Sequence, residues 1–398
     1  MRRKKTVITI CLLLMGLLGL VGCGSPSSAS VDTSLEEAES SGEFAVANGQ
    51  DICGLVYESS MELQYAENFA VDYYEGGYCL LTTIVDGQRF LIVPEDEGIP
   101  ENLDEDIVVL QRPMKDIYLV ASAVMDMFNE LDGLDAITFS GQKEEKWYVE
   151  KAKEAMASGD MLYAGKYSKP DYELLVSNGC SLAIENRMIS HSPEVIEKLG
   201  SFGIPVLIEY SSYESHPLGR VEWIKFFGAL LGKEKEAEQI YAEQSAILDK
   251  VSADEKTEQT VAFFFVTSNG LVQVRQSDDY VPKMIELAGG KYIFENLGDS
   301  ETKRSTVNMQ LEEFYNGAKD ADFLIYNSSI DGGVSGMDEL LNKCKFLADF
   351  KAVRDGNVWC TTNDMYQQSL SIGYLIEDIH AMLLGEGEEN MHYLFHLE

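Results

Sequence analysis

A long helical stretch in the middle of the chain constrains the fold more than any other feature. Between Glu209 and Val251, aromatic and aliphatic residues recur every three or four positions, which is the spacing of one buried helix face. Gly232 divides the stretch into two helices, because a glycine commonly ends a helix. At ~1.5 Å per residue the second helix extends over about 27 Å, the width of a small domain. Strand-and-helix patterns lie on both sides, so the stretch predicts a rigid connection between two lobes with a cleft between them. An ordinary helix pair within one domain is the alternative.

The N-terminus has the layout of a signal peptide over residues 1–22. A basic head from Arg2 to Lys5 precedes an apolar run from Thr6 to Leu20 that is short for a membrane-spanning helix. The run that ends at Cys23 resembles the bacterial lipobox, at which a peptidase cuts before a lipid-modified cysteine. The resemblance implies that Cys23 is the mature N-terminus and carries acyl chains such as palmitate; a plain secreted chain is the alternative. Residues 23–50 are rich in small and polar residues and predict a disordered tether.

The charge balance restricts the partners of the protein. The chain carries 67 acidic and 31 basic residues, a formal net charge of −36. Nucleic-acid binding requires a basic surface, so we exclude that class of function. No segment after the signal peptide is long and apolar enough to span a membrane. We therefore expect a monomer held by its lipid at the extracytoplasmic face of the cell membrane.

Strand-like runs between residues 51 and 94 predict an antiparallel β meander, which we assign to residues 51–104. Asp86 and Gly87 separate two of these runs, and Asp-Gly between apolar segments is a strong hairpin signal. Cys53 and Cys79 are a candidate disulfide pair, whereas the other cysteines after Cys23 are expected to be small buried apolar residues.

Two regions of alternating short strands and helices follow the meander. We assign residues 105–216 to an N-terminal lobe, 217–258 to the connecting helix pair and 259–398 to a C-terminal lobe. The N-terminal lobe is predicted to begin with a strand at residues 107–110 and a helix at residues 116–131. Such alternation is typical of parallel sheets covered by helices. The predicted fold class is α/β, with two βα lobes joined by a long connecting helix and preceded by the β meander.

Three features of the sequence lie in a recognisable order. They are Pro170–Leu175 with Ser181–Ile184 and Ile204–Ile208, then Arg220–Glu234, and then Ile285–Lys291. Together they resemble the bacterial substrate-binding lipoproteins of ABC transporters that bind iron-siderophores, haem or cobalamin. The resemblance covers roughly residues 105–385. It implies the class III periplasmic-binding-protein fold, a ligand between the lobes, and a permease with its ATPase as partners. The meander departs from the short forms of this family.

The carboxyl ends of the predicted strands are the expected ligand site, because ligands of open parallel sheets bind there. Arginine and tyrosine recur at these ends, and they suit anionic oxygens and flat ligand surfaces. We therefore expect an iron chelate of the ferric-siderophore type and no cofactor belonging to the protein. For each arginine, an ordinary salt bridge is the alternative. The predicted lining residues are Arg112, Ser140, Arg187, Tyr210, Tyr213, Arg275 and Tyr366.

Histidines and glutamates provide two further expectations. His191 and His216 lie near the same loops, so direct metal ligation is an alternative, although scattered histidines are more often surface or capping residues. No metal site is predicted. The family's permease-docking glutamates fall by motif position on Glu173 and Glu313, with Glu312 as the fallback. An acid favoured by the helix dipole is the alternative at these positions.

An enzyme is the main alternative from another class. The sequence contains no Gly-x-Ser-x-Gly, His-Glu-x-x-His or Cys-x-x-Cys motif, and it contains no Gly-x-x-x-x-Gly-Lys-Ser/Thr phosphate loop. The acidic run Ser277–Asp279 is interpreted as a helix cap. We therefore expect no enzymatic activity, with a secreted hydrolase or a surface lipoprotein on the same fold as the alternatives. Ferric siderophores, haem and cobalamin all remain open as ligands.

Overall fold

The structure is a computed structural model that describes residues 49–398 apart from positions 253, 255, 299–304, 331 and 387. The predicted signal peptide, Cys23 and the tether up to residue 48 lie outside the described residues. Within the described ranges, no helix is both long and apolar enough to cross a bilayer.

An N-terminal sheet of five strands corresponds to the predicted meander. Its strands lie in sequence order, and every pair is antiparallel except the last, in which β4 and β5 are parallel. The predicted assignment of residues 107–110 to the N-terminal lobe is therefore wrong, because β5 completes this sheet. An apolar run this short does not reveal which neighbour it pairs with. The strands are β1 (Tyr57–Ser60), β2 (Phe69–Tyr74), β3 (Tyr78–Thr83), β4 (Gln88–Val93) and β5 (Ile107–Gln111).

The N-terminal lobe contains a parallel sheet in the order β12-β11-β6-β7-β8, and β9 and β10 form a separate pair. The predicted helix over residues 116–131 is wrong at its start, because residues 117–119 form a central strand. All three are fully buried, so their run reads as a helix face or as a strand equally well. The elements are β6 (Ile117–Leu119), α1 (Ser122–Glu130), β7 (Ile137–Ser140), α2 (Glu150–Ser158), β8 (Leu162–Tyr163), β9 (Gly165–Lys166), β10 (Lys169–Pro170), α3 (Tyr172–Ser177), β11 (Leu182–Asn186), α4 (Pro193–Ser201) and β12 (Val206–Glu209).

The connecting helices are α5 (Pro217–Leu231) and α6 (Glu234–Ser252). The first ends at Gly232, whose φ of 76° is the left-handed conformation that glycine adopts without strain. Gly228 lets the two helices approach closely, since a Cβ added there would lie 2.6 Å from Cβ of Ala237. One continuous apolar cluster runs from the N-terminal sheet through both helices into the C-terminal lobe. The predicted connection is thus part of the core.

The C-terminal lobe contains a seven-stranded sheet in the order β16-β14-β13-β17-β18-β19, with β15 also paired to β13. Strands β13, β15, β17 and β18 are parallel, whereas β14, β16 and β19 are antiparallel additions that the sequence did not predict. The elements are β13 (Thr260–Val266), β14 (Val272–Arg275), α7 (Tyr280–Leu287), β15 (Lys291–Tyr292), β16 (Thr306–Met309), α8 (Leu311–Ala318), β17 (Phe323–Tyr326), α9 (Met337–Lys343), α10 (Lys351–Asp355), β18 (Val358–Thr361), α11 (Ile372–Leu384) and β19 (Leu394–His396).

The lobes have separate sheets and are also joined at the segment before α11. The side chain of Gln367 donates to the carbonyl of Lys146 over 2.7 Å and accepts the N–H of Tyr148 over 2.8 Å. Asp126 of α1 accepts the N–H of Leu370 over 3.0 Å. The two lobes are therefore held together by hydrogen bonds in addition to the connecting helices.

The candidate disulfide in the N-terminal sheet is not formed. Cys53 and Cys79 are both free thiols, and Cys79 is buried. Burial raises the pKa of the Cys79 thiol to about 12, with Arg112 acting in the opposite direction. Cys79 is thus a buried neutral side chain, as the other cysteines were expected to be.

Candidate ligand-binding cleft

A pocket of about 220 Å³ lies between the two lobes. The N-terminal lobe contributes residues that follow the ends of β11 and β12, and the C-terminal lobe contributes the start of α7 and Ser305 before β16. The pocket therefore lies at strand ends, where the sequence predicts the ligand site. The lining residues are Asn68, Arg187, Ser212, Tyr213, Glu214, Ser215, Asp278, Asp279, Tyr280 and Ser305.

The N-terminal wall contains two predicted residues. The guanidinium carbon of Arg187 lies 5.2 Å from the ring centroid of Tyr213, within the range of a cation–π contact. A third predicted residue, Tyr210, packs behind Tyr213 with ring centroids 5.5 Å apart. Tyr210 is itself buried, and its hydroxyl donates to Asp86 over 3.0 Å. The structure thus brings Arg187 and Tyr213 to the pocket and places Tyr210 as their support.

The C-terminal wall is the start of α7. Asp279 caps the helix by accepting the N–H of Val281 over 3.1 Å, which confirms the predicted helix cap. Burial raises the pKa of the Asp279 carboxyl, and Arg275, with Nη1 3.5 Å from that carboxylate, opposes the rise. Arg220 of α5 lies over the ring of Tyr280, 3.9 Å from its centroid. This wall therefore combines an aromatic face with two arginines and a carboxylate.

Two more predicted residues form a cluster that contacts this wall through Asp279. Arg275 is buried, and its Nη2 donates to the hydroxyl of Tyr366. The amide of Asn327, which follows β17, donates to the same hydroxyl over 2.9 Å. Neither Arg275 nor Tyr366 is among the residues that line the pocket. Their observed contacts hold the loops at the end of the C-terminal sheet.

The last two predicted residues lie elsewhere. The guanidinium of Arg112 binds the carbonyl of Ala229 at the end of α5 and lies 3.3 Å from the carboxylate of Glu234. The hydroxyl of Ser140 is fully buried and accepts the indole N–H of Trp147 over 3.0 Å. Both lie at strand ends as predicted, but β5 belongs to the N-terminal sheet and β7 is covered by the loop that carries Trp147. Their contacts are with the protein interior and not with the pocket.

One pocket residue comes from the N-terminal sheet. Asn68 immediately precedes β2, and its backbone N–H donates to Glu214 over 3.0 Å. The same carboxylate accepts the N–H of Glu67 over 2.9 Å and the indole N–H of Trp223 over 3.0 Å. Burial raises the pKa of the Glu214 carboxyl, while these donors act in the opposite direction. The N-terminal sheet is therefore attached at the mouth of the cleft.

His216 acts as a helix cap. Its Nδ1 accepts the N–H of Leu218 over 3.2 Å at the start of α5, and its ring stacks on Tyr65 with centroids 3.9 Å apart. Burial lowers the pKa of His216, and Lys283 acts in the same direction, so the neutral ring that accepts this hydrogen bond is favoured. His191 is exposed at the end of a 3-10 turn. Within the described part of the chain, no group of three His, Cys, Asp or Glu side chains is arranged to hold a metal ion.

The predicted docking glutamates are on the surface of different lobes. Glu173 is exposed in the first turn of α3, and Glu313 is exposed beside Glu312 in the first turn of α8. Each position is also one that the helix dipole favours for an acid.

Sequence reasoning missed most of the C-terminal wall and the residue from the N-terminal sheet. Asp278 lies within the run Ser277–Asp279, which was interpreted only as a cap, and Tyr280 directly follows that run. A strand end after Arg275, at β14, was not predicted, and it would have indicated these residues. Asn68 carries no signal in the sequence, because its position in the cleft depends on how a separate sheet packs.

Comparison with known proteins finds relatives in sequence and in structure. No family model matches the chain. An uncharacterized lipoprotein of Methanocaldococcus jannaschii is 27% identical to it over 99% of this chain and 100% of the relative. The periplasmic haem-binding protein of Vibrio cholerae matches 66% of this chain and 97% of its own, with a TM-score of 0.53 and 18% identity. An ABC-type Fe³⁺-hydroxamate transport protein of Saccharomonospora viridis matches 68% and 93%, with a TM-score of 0.50 and 16% identity.

Fold and cleft together define the class III periplasmic-binding-protein fold, in which a helical connector joins two lobes. More particularly, the chain shares its fold with solute-binding proteins of ABC transporters, and its relative in sequence is named as a lipoprotein. The resemblance found in the sequence is confirmed at the level of the fold.

Proposed function

We propose that the protein is the membrane-anchored, extracytoplasmic substrate-binding component of an ABC importer. It binds an iron chelate of the ferric-siderophore type between its lobes and delivers it to a permease that a cytoplasmic ATPase drives. The observation that carries this proposal is the pocket between the lobes, lined from both sides by residues at strand ends. The fold shared with periplasmic proteins that bind haem or transport Fe³⁺-hydroxamate supports it.

The charges around the pocket favour a ligand of low net charge. Arg187 lines the pocket, and Arg220 and Arg275 lie against Tyr280. They face an equal number of carboxylates, on Glu214, Asp278 and Asp279. A polyanion would gain from the arginines and lose at the acids, whereas a ligand with both donors and acceptors gains from both. This balance favours a neutral ferric hydroxamate over a highly charged catecholate.

The size of the pocket requires the lobes to separate around a chelate. Its volume of about 220 Å³ is below the roughly 300–1,000 Å³ typical of small-molecule sites. The Gln367 hydrogen bonds to Lys146 and Tyr148 join the two lobes and oppose their separation. Ligand entry therefore involves opening at this contact, with the helical connector as the fixed part.

Haem or cobalamin is the alternative ligand of the same mechanism. The haem-binding neighbour in structure supports haem, and a tyrosine hydroxyl is an established haem ligand in proteins. Tyr213 and Tyr280 are the tyrosines that line the pocket. A shifted Soret band on addition of haemin, lost in Tyr213→Phe, would favour this alternative.

Thermal unfolding with a panel of probes tests the proposal. The panel is a ferric hydroxamate, a ferric catecholate, haemin, cobalamin and free Fe³⁺, each added to the purified protein. A bound probe at about a hundred times its Kd adds about 2.7 kcal/mol of stability. Arg187→Ala should abolish the shift for the bound probe, whereas Arg354→Ala, at an exposed arginine of α10, should keep it. No shift with any probe, together with turnover of an ester or peptide library, would favour a hydrolase.

Attachment to the membrane is a separate part of the proposal. It rests on the signal peptide that ends at Cys23 and on the relative that is named as a lipoprotein. Labelled palmitate should be incorporated into the wild-type protein, and Cys23→Ser should release the protein from the membrane fraction. Retention of the Cys23→Ser protein in that fraction would contradict the lipid anchor.

A further inference from the structure

The N-terminal sheet supplies a short loop, residues 64–68, at the mouth of the cleft. We infer that this loop, here named the wall loop, is a third wall of the ligand site, and that Asn68 contacts the ligand and contributes to its selection. The inference rests on the proposed function, because it assumes that a ligand occupies the cleft. It gives the N-terminal sheet a role that the two-lobed fold alone does not require.

The wall loop is held by two carboxylates from the connector region. Glu222 of α5 accepts the backbone N–H groups of Gln64, Tyr65 and Ala66, each at 2.9 Å to the nearer oxygen. Glu214 accepts those of Glu67 and Asn68, over 2.9 and 3.0 Å. Five consecutive amides thus point at two anions. Hydrogen bonds to an ionised acceptor are stronger than neutral ones, so the loop has a defined position without a ligand.

Further contacts fix the loop to the connector and to its own sheet. The hydroxyl of Tyr241 on α6 donates to the side chain of Gln64 over 3.0 Å. The carbonyl of Asn68 accepts the N–H of Ile84 at the end of β3 over 2.9 Å. Lys225 pairs with Glu222 over 3.3 Å and balances the buried charge. The loop is therefore fixed to the connector, and the start of α7 lines the same pocket.

The side chain of Asn68 is oriented by Glu214. The amide of Asn68 lies next to that carboxylate, which accepts only, so the arrangement favours the amide nitrogen on the Glu214 side. Its carbonyl oxygen keeps its capacity to accept, and Asn68 lines the pocket. The wall loop therefore offers a fixed acceptor to a ligand N–H or O–H group. This adds an acceptor from the N-terminal sheet to the carboxylates that the two lobes provide.

The first arm of the test needs no ligand. Asn68→Cys is labelled with bimane in a Cys53→Ser background, and a tryptophan quencher is placed across the pocket by Asp278→Trp. Trp223 donates to Glu214 in every variant, so the reference is the labelled protein without an added tryptophan. Relative to it, we expect strong additional quenching with Asp278→Trp and none with Glu312→Trp, which is exposed on α8 outside the pocket. Equal fluorescence with both quenchers would overturn the third wall, whatever the protein binds.

The second arm measures binding of the same panel of probes. For whichever probe binds the wild type, Asn68→Ala should raise Kd about fivefold, the effect of one lost hydrogen bond. Asn178→Ala, which removes an exposed amide at the end of α3, should leave Kd unchanged. An unchanged Kd for Asn68→Ala would overturn the contact. Quenching without binding of any probe would contradict the proposed function and leave the wall supported, so the two failures are distinguishable.

Discussion

Glu222 and Tyr65 are 157 residues apart in the chain, and the backbone N–H of Tyr65 donates to the Glu222 carboxylate over 2.9 Å. The acceptor is fully buried in the middle of α5. Its partners are backbone groups of the N-terminal sheet and the ammonium of Lys225. The Glu222 carboxylate therefore attaches the N-terminal sheet to the core.

Loss of this charge should weaken the whole protein. Glu222→Gln leaves buried amides and Lys225 without their anion, so we expect the free energy of unfolding to fall by about 3 kcal/mol. Glu238→Gln removes the other partner of Lys225, but that side chain is 64% exposed, and we expect less than about 1 kcal/mol. Urea denaturation measures both. Equal losses of unfolding free energy in the two variants would contradict the greater contribution of the buried Glu222.

Close packing of α5 on α6 should be intolerant of one methyl group. Gly228→Ala would place its Cβ 2.6 Å from that of Ala237, and forcing the helices apart should cost about 2 kcal/mol. Gly200→Ala is the matched control, because no atom lies within 4 Å of the added Cβ in α4. That substitution should stabilise the protein by about 0.5–1 kcal/mol through helix propensity. Thermal unfolding of both variants gives the comparison, and a stabilised Gly228→Ala would contradict the close contact.

Glu185 should make stability fall as pH rises. Both of its carboxylate oxygens are buried and have no hydrogen-bond partner among the described residues. Burial raises its pKa from 4.5 to about 8. The folded state holds the proton that the unfolded chain loses above its ordinary pKa, so this contribution is complete below pH 4.5 and is lost as pH rises to about 8.

Glu185→Gln should remove that dependence. Since one pKa unit is worth about 1.4 kcal/mol, the variant should be more stable than the wild type above pH 8 by up to about 5 kcal/mol. Below pH 4.5 the two should be similar. Urea titrations at several pH values measure the difference. A wild-type profile that is flat between these pH values, or a Gln variant that is weaker at high pH, would contradict the buried unpaired carboxyl.

The docking glutamates have their own test. Glu173→Ala and Glu313→Ala should leave probe affinity unchanged and reduce uptake in cells, because exposed acids on the two lobes are suited to steering a permease. Glu194→Ala is the control, since Glu194 is also an exposed acid in the first turn of a helix. Uptake that is unchanged by Glu173→Ala, or reduced equally by Glu194→Ala, would remove the docking role.

Local pattern was sufficient for much of this fold. The connector was predictable because its apolar period and the helix end at Gly232 agree. The strand at Ile117–Leu119 was missed because a run of residues that are all buried shows no alternation of apolar and polar side chains. The antiparallel strands β14, β16 and β19 were missed because their runs are too short to show a period.

The site was predictable only where a strand end and the pocket coincide. Arg187 and Tyr213 satisfy both conditions, and the structure places them in the pocket. Arg112 satisfies only the first, because the strand before it belongs to another sheet. Arg275 also follows a strand, but Asp279 and Tyr366 occupy its guanidinium. Sequence identifies an arginine at a loop, and only packing shows whether its donors are already used.

The wall loop has a consequence for anyone who shortens this protein. A fragment that starts after β4 would keep both lobes and the connector. It would, however, leave the buried carboxylates of Glu214 and Glu222 without the five backbone amides that now donate to them. The two lobes of this chain therefore depend on the N-terminal sheet. Deleting the sheet alone would not yield a stable two-lobed protein, and Glu214 and Glu222 would have to be replaced at the same time.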